Sequence, residues 1–304
     1  MDAEQTPQPD PPSTQTDPAV DEAAPAPAPT PEPTPARPRM VAFMNQKGGV
    51  GKTTTAVNLG AALAQLGHTV CLVDLDPQAH LTLHVGLELG DDDVTVYDLL
   101  TEDDPSPLEV MHRVDDELAV VPAETDLAAA EMELAGRDNR LTILKDRLSP
   151  AINEFDYVFI DCPPSLGLLT LNALALAREV VVPMQAHFLA LQGLSKLLET
   201  VQLVRAQVNP DLVVSGVVLC QHDAQTNLAR EVVSDLEAFF DDAGDADNPD
   251  VPWRGARVYR PPIRRNVKLA ECPSFGQTIF QYEPWCAGGR DYLNLAEHFI
   301  WEHP

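Results

Sequence analysis

The sequence predicts an α/β domain built on a mostly parallel sheet with helices on both faces. Three observations carry that reading. Short continuous apolar runs, bounded by turn residues, recur from Met40 to Leu219 and read as strands buried on both faces. Helical patterns stand between them, the alternation that parallel strands with right-handed crossovers require. The first run, Val41 to Met44, breaks at a glycine-rich turn, Lys47-Gly48-Gly49-Val50-Gly51-Lys52-Thr53, that opens directly into a helix.

That turn has the chemistry of a polyphosphate cradle. Gly48, Gly49 and Gly51 carry no Cβ, so the backbone N–H groups from Lys47 through Val50 to Thr54 can converge on one anion at the helix N-terminus. Lys52 is spaced to reach the outer phosphates, and the Thr53 hydroxyl to ligate Mg²⁺. Counted from Gly48, however, Gly51-Lys52-Thr53 arrives two residues earlier than in G-x-x-x-x-G-K-[ST]. The unusual element is Lys47, a second lysine too far back to duplicate Lys52 from the same side.

Composition sets the limits of the domain. Residues 1–38 hold 12 of the 28 prolines and no aromatic residue, Leu or Ile, so they are expected to be disordered, and the domain to span 39–304. The tail has neither the basic start nor the apolar run of a signal peptide, and no later stretch is long and apolar enough for a membrane span, so a cytoplasmic protein is expected. Cys71, Cys162, Cys220, Cys272 and Cys286 lack Cys-x-x-Cys spacing and read as reduced thiols. The formal net charge is -27; seven acids against Arg37 give the tail -6 and leave -21 for the rest. Such a chain opposes nonspecific DNA binding unless positive charge is gathered on one face.

In order after the loop, Thr54 to Leu66 reads as the first crossover helix, ended by Gly67. Thr69 to Val73 is the second strand and delivers Asp74, Asp76, Pro77 and Gln78 at its C-terminal end, where ligands bind in open parallel sheets. Asp76 is the candidate to orient an attacking water; capping or loop solvation is the other reading, more so for Asp74. Leu81 to Leu89 and Val94 to Leu100 are short helical patterns, Leu118 to Pro122 a strand, and Thr125 to Glu133 and Leu141 to Ile152 amphipathic helices. Asp156 to Asp161 is a hydrophobic strand ending in a carboxylate, the arrangement in which Asp161 would hold Mg²⁺ beside the phosphate loop. A helix from Leu166 to Ala177, a strand from Glu179 to Pro183, a long helix from Leu189 to Val208, a strand from Val213 to Leu219 and a helix from Asn227 to Phe240 follow. Residues from 241 to about 253 read as an exposed acidic loop insertion. Then the charge reverses: Arg254, Arg257, Arg260, Arg264, Arg265 and Lys268 occur with no acid until Glu271. Gly288 to Trp301 is a closing helix without the basic amphipathic face of a membrane anchor.

KGGVGKTTT, VDLDPQ, DYVFIDCPPSLGLLTLNAL, ALQGLSKLLETV and RRNVKLAECPSFG together resemble the deviant Walker A ATPases of the ParA/MinD family, and the chromosomal ParA/Soj-type partition ATPases in particular, over about residues 40–302. The resemblance implies an ATP-dependent homodimer that binds DNA nonspecifically, is stimulated to hydrolyse ATP by a ParB-like partner, and associates with the nucleoid. It implies that Lys47 crosses to the partner subunit's nucleotide, and gives Lys52 to the phosphates, Thr53 and Asp161 to Mg²⁺ and Asp76 to hydrolysis. Pro262 and Asn266 would lie by the nucleotide base. Where relatives place DNA-contacting arginines, this chain has Gln202 and Asp241; Lys196, Arg205, Arg254, Arg257, Arg260 and Arg264 are the substitutes the charge pattern offers. A MinD-like membrane-positioning ATPase and a positioning ATPase for another cargo share the same nucleotide chemistry. An iron-protein-like electron carrier would need cluster-holding cysteines, which these spacings do not supply.

Overall fold

The computed structural model describes Met1 and residues 38–90, 92–103, 105–187, 190–245 and 250–301. The chain divides into two units after Ala36, and the tail expected to be disordered lies, but for its ends, outside the described residues. The second unit begins with β1 (Arg39–Phe43), α1 (Lys52–Gln65), β2 (Val70–Asp74), α2 (His80–His84), α3 (Val96–Thr101), β3 (His112–Arg113) and β4 (Leu118–Val121). It continues with α4 (Leu127–Leu134), α5 (Ile143–Leu148), β5 (Tyr157–Asp161), α6 (Leu168–Leu176), β6 (Glu179–Met184), α7 (Ala190–Gln207) and β7 (Val213–Leu219). The last elements are α8 (Asn227–Asp245), β8 (Arg257–Val258), α9 (Val267–Glu271), α10 (Ile279–Tyr282) and α11 (Ala287–Trp301).

One sheet takes the order β3-β4-β2-β5-β1-β6-β7-β8, parallel throughout except where β3 meets β4. Side chains alternate across it. Val41, Phe43, Leu72 and Phe159 face a core shared with α1 and α11, while Ala42, Val73, Ile160 and Val182 face the core under α4 to α8. Helix α1 lies close against the sheet: a Cβ at Gly60 would come within 2.8 Å of Leu72 Cδ2. The other end of the sheet is pinned by Arg39, which pairs with Glu179 through two 2.8 Å hydrogen bonds and stacks over Phe299 at 3.7 Å. Strands β1, β2, β5, β6 and β7 therefore end together on the side where the sequence reading places the site.

The structure departs from that reading in several places, three of which bear on the site and its basic run. The Leu81 to Leu89 helix is a single turn, α2, because Gly86 leaves the helix at φ +74 to pack its backbone against Gly276. Residues 241–245 are not loop but the last turns of α8; Arg254 Nε donates to Gly244 O there at 3.3 Å, satisfying a carbonyl that the helix end leaves open. The rest of the expected acidic insertion falls partly on 246–249, outside the described residues. Finally, part of the basic run is strand: Arg257–Val258 adds β8 to the sheet alongside Gly216 and Val217.

Candidate active site

The glycine turn between β1 and α1 forms one wall of a cleft of about 780 Å³, which also touches Thr54, Asp76, Gln78, Pro163 and Gln221. Gly49 and Gly51 have φ of +71 and +99, left-handed values that glycine adopts without cost. Gly51 is also fixed by space, since a Cβ there would stand 3.2 Å from Cys220 Sγ. At Gly48 nothing lies within 4 Å of where a Cβ would project, so the cleft is open at that point. The two lysines of the turn part company: Lys52, the first residue of α1, is 7% exposed, while Lys47 is exposed at the lip. Lys47 lines a separate apolar cavity with Asn45, Val50, Leu194 and Leu197, and its backbone N–H is held by Asn45 Oδ1 at 3.0 Å.

Three carboxylates stand at the ends of β2 and β5. Asp74 and Asp161 are register partners and both are fully buried; Asp76 is 8% exposed. Thr53 Oγ1 donates to Asp161 Oδ2 at 2.6 Å, and Asp161 Oδ1 has no partner. Burial first, and the neighbouring Asp74 second, push the Asp161 carboxyl well above the usual range, while the Thr53 hydrogen bond and the Lys52 charge oppose them. A buried carboxylate oxygen without a partner, next to a threonine hydroxyl and an ammonium, fits a hard divalent cation that keeps most of its water. Among the described residues no group of three or more His, Cys, Asp or Glu could hold a metal, so a cation here would take its other oxygens from water and phosphate.

Asp74 is an organiser rather than a ligand. Its Oδ2 accepts from Thr82 N–H and O–H at 3.0 and 2.8 Å, and its Oδ1 from Asp76 N–H at 3.1 Å. Thr82 Oγ1 in turn accepts from Ala123 N–H at 3.0 Å, joining the ends of β2 and β4 through α2. Burial raises Asp74 to about 6 against these hydrogen bonds. Asp76 touches Gln78 N–H at 3.0 Å and otherwise faces the cleft.

A second cavity of about 360 Å³ adjoins the cleft at Gly51 and Thr54 and is lined by Cys220, Asn266, Ala270 and Tyr292. Asn266 lines this cavity, and its side-chain oxygen caps α9 by accepting from Lys268 N–H at 2.8 Å. Pro262 is half-buried and lines neither the cleft nor this cavity.

The basic residues do not form one patch. Arg260 pairs with Glu237 at 2.5 Å and Arg264 with Asp291 at 2.6 Å, while Arg254 closes α8. Arg257 sits on β8 beside the middle of β7, whereas Arg264 lies beyond the strand end against His222. Lys196 is exposed and Arg205 half-buried on α7; nine residues apart, they point half a turn away from each other.

Gln185 and Gln221 lie outside every motif of the sequence. Both amide nitrogens donate to Gly49 O, at 3.3 and 3.2 Å. Each follows the end of a buried strand on the ligand side of the sheet, the signal by which they could have been found.

The AAA domain family matches residues 38–214. Soj, the sporulation initiation inhibitor of Bacillus subtilis (strain 168), is 45% identical over 260 residues, 85% of this chain and 97% of Soj. The chromosome partitioning protein ParA of Myxococcus xanthus is 42% identical over 263 residues, 86% of this chain and 88% of its own length. Among solved structures, cobyrinic acid a,c-diamide synthase from Mycobacterium smegmatis, with bound ADP and magnesium, aligns with a TM-score of 0.69 at 36% identity, covering 86% of this chain and 94% of that one. With the glycine turn, the paired Thr53 and Asp161, and identity of this degree along almost the whole domain, the chain belongs to the Soj/ParA family of chromosome-partitioning ATPases.

Proposed function

We propose that this chain hydrolyses ATP to ADP and phosphate as a magnesium-dependent homodimer that partitions chromosomal or plasmid DNA. The observation that carries the reading is the division of labour between the lysines of one loop: Lys52 buried at the helix start, Lys47 exposed at the lip. A lysine so placed is available to a nucleotide held by a second copy, and withholding it until two copies meet couples turnover to assembly.

In this reading the N–H groups from Gly48 to Thr54 hold the phosphates and Lys52 neutralises the outer ones. Thr53 and Asp161 hold the magnesium, which when bound draws charge from the phosphate oxygens. Asp76, at the cleft wall on a loop fixed by Asp74, orients the attacking water. Asn266 stands by the base. The ATP-bound dimer binds DNA without sequence preference and lets go after hydrolysis, which a ParB-like partner stimulates. Lys196 and Arg254 are the exposed cations best placed for phosphate contact, because Arg260 and Arg264 already spend charge on Glu237 and Asp291. The membrane-positioning reading is less well supported, since α11 buries Tyr292, Leu295 and Phe299 in the core shared with α1. No helix among the described residues is long and apolar enough to cross a membrane.

The test is phosphate release from ATP with magnesium, in the parent and in Lys47→Ala and Lys52→Ala. The reading expects turnover per subunit to rise with parent concentration, nucleotide binding to survive Lys47→Ala without turnover, and Lys52→Ala to lose both. Turnover in Lys47→Ala equal to that of the parent would contradict it.

A further inference from the structure

We propose that Gln185 and Gln221 are positioning residues for the phosphate loop, which clamp the Gly49 carbonyl from two strand ends and so aim the next peptide N–H at the nucleotide. The inference rests on the nucleotide reading above and adds to it two residues from β6 and β7 that no part of the loop motif contains.

The glycines that let the loop form also leave it free to turn. A peptide unit is planar and trans, with its C=O and N–H antiparallel, so the direction of Gly49 O fixes that of Val50 N–H. With glycine on one side of that peptide, rotating the whole unit costs little. A rotated unit would present a carbonyl oxygen to the phosphates in place of a donor, exchanging attraction for repulsion. The clamp blocks that rotation. Gly49 O accepts Gln185 Nε2 at 3.3 Å and Gln221 Nε2 at 3.2 Å, which uses both of its lone pairs.

Both glutamines are themselves constrained. Gln185 Oε1 is 2.6 Å from His187 Nε2; an amide oxygen only accepts, so His187 donates and leaves the Gln185 NH₂ turned to the loop. Gln221 sits at φ +49, a left-handed conformation that a residue with a Cβ adopts only at a cost. Cost concentrated at a residue whose side chain reaches the cleft indicates a conformation kept for what the side chain does. Gln221 lines the nucleotide cleft, the base cavity and a polar cleft shared with Gln185 and His187, so it stands where all three meet.

The strained φ supplies the experiment. Glycine occupies that conformation freely, so Gln221→Gly relieves the backbone while removing the amide, and Gln221→Glu keeps the shape while replacing donor by acceptor. Titration of the full chain with a fluorescent mant-ATP and magnesium, beside thermal melting, separates the roles. The clamp predicts affinity about fivefold weaker for Gln221→Gly and for Gln185→Ala, more than about tenfold weaker for the double variant, and a larger loss for Gln221→Glu, with melting temperatures within about 3 °C of the parent. With mant-ATP bound it also predicts faster amide exchange at Val50 in each variant, which general loss of stability would spread over the whole sheet. Variants that bind within twofold of a parent that does bind overturn the clamp alone, as does an affinity loss that merely follows the loss of stability. A parent that takes up no mant-ATP overturns the nucleotide reading, and the clamp with it.

Discussion

The Thr53 hydroxyl donates to one oxygen of the buried Asp161 carboxylate at 2.6 Å, and the other oxygen is left without a partner. An unpartnered buried carboxylate oxygen is costly, and the cost falls when a cation arrives. Replacing Asp161 by Asn should therefore leave the ligand-free protein as stable as the parent or more so, while turnover falls by about 100-fold. The gain in ATP affinity on going from EDTA to magnesium should shrink with it. A variant whose magnesium dependence matches the parent would remove Asp161 from the metal site.

Gly48 and Gly51 separate binding from folding. A methyl group at Gly48 meets no protein atom, so Gly48→Ala should change stability by less than about 0.5 kcal/mol yet weaken ATP binding by filling the cradle. Gly51→Ala carries a φ of +99 and a 3.2 Å contact with Cys220, so it should cost at least about 1 to 2 kcal/mol in urea unfolding as well. Equal ATP affinity in Gly48→Ala and the parent would mean that the phosphates do not lie against this turn.

Among the described residues no hydrogen bond joins Asp76 to the phosphate loop, and Asp76 lines the cleft. Asp76→Ala should keep magnesium-ATP affinity within about threefold and lose hydrolysis by about 100-fold, trapping the ATP-bound form. Single-turnover measurement of phosphate release decides it; undiminished release would return Asp76 to a solvated loop residue.

His84 gives the protein an acid-sensitive core. Burial lowers its pKa to about 4 from the ordinary 6.5, in a site where Nε2 meets only the Cys272 thiol at 3.6 Å. The unfolded chain binds the extra proton below pH 6.5 and the folded chain does not, so this contribution is complete above about 6.5 and is lost as pH falls towards 4. His84→Gln should reduce the drop in stability between pH 7 and pH 4.5 by about 2 to 3 kcal/mol, read from urea unfolding at each pH. An unchanged drop would show that His84 is protonated in the fold.

The nucleotide end of this molecule was legible because its signals are local. An apolar run, three glycines, a lysine and a threonine are contiguous, and two later strands, β2 and β5, announce themselves as apolar runs and deliver Asp76 and Asp161 at their ends. What escaped depends on distant partners. The basic run reads as a positive patch until Glu237 and Asp291, 23 and 27 residues away, take up Arg260 and Arg264. Strand β8 has two residues and no apolar pattern; it exists because Gly216 lets the backbone at Arg257 come close. The last turn of α8 looks like loop because its acids oppose the helix dipole, and the arginine that closes it lies beyond residues 246–249. Gln185 and Gln221 carry no motif at all, and only the folded sheet brings both to Gly49.

The role of the exposed Lys47 is tested most directly by whether two subunits pair. Sedimentation velocity of the full chain with a non-hydrolysable ATP analogue and magnesium should show the parent moving from one subunit to two, and Lys47→Ala remaining single with its nucleotide bound. A parent that stays a single subunit at saturating analogue, or a Lys47→Ala variant that pairs as well as the parent, would contradict that role.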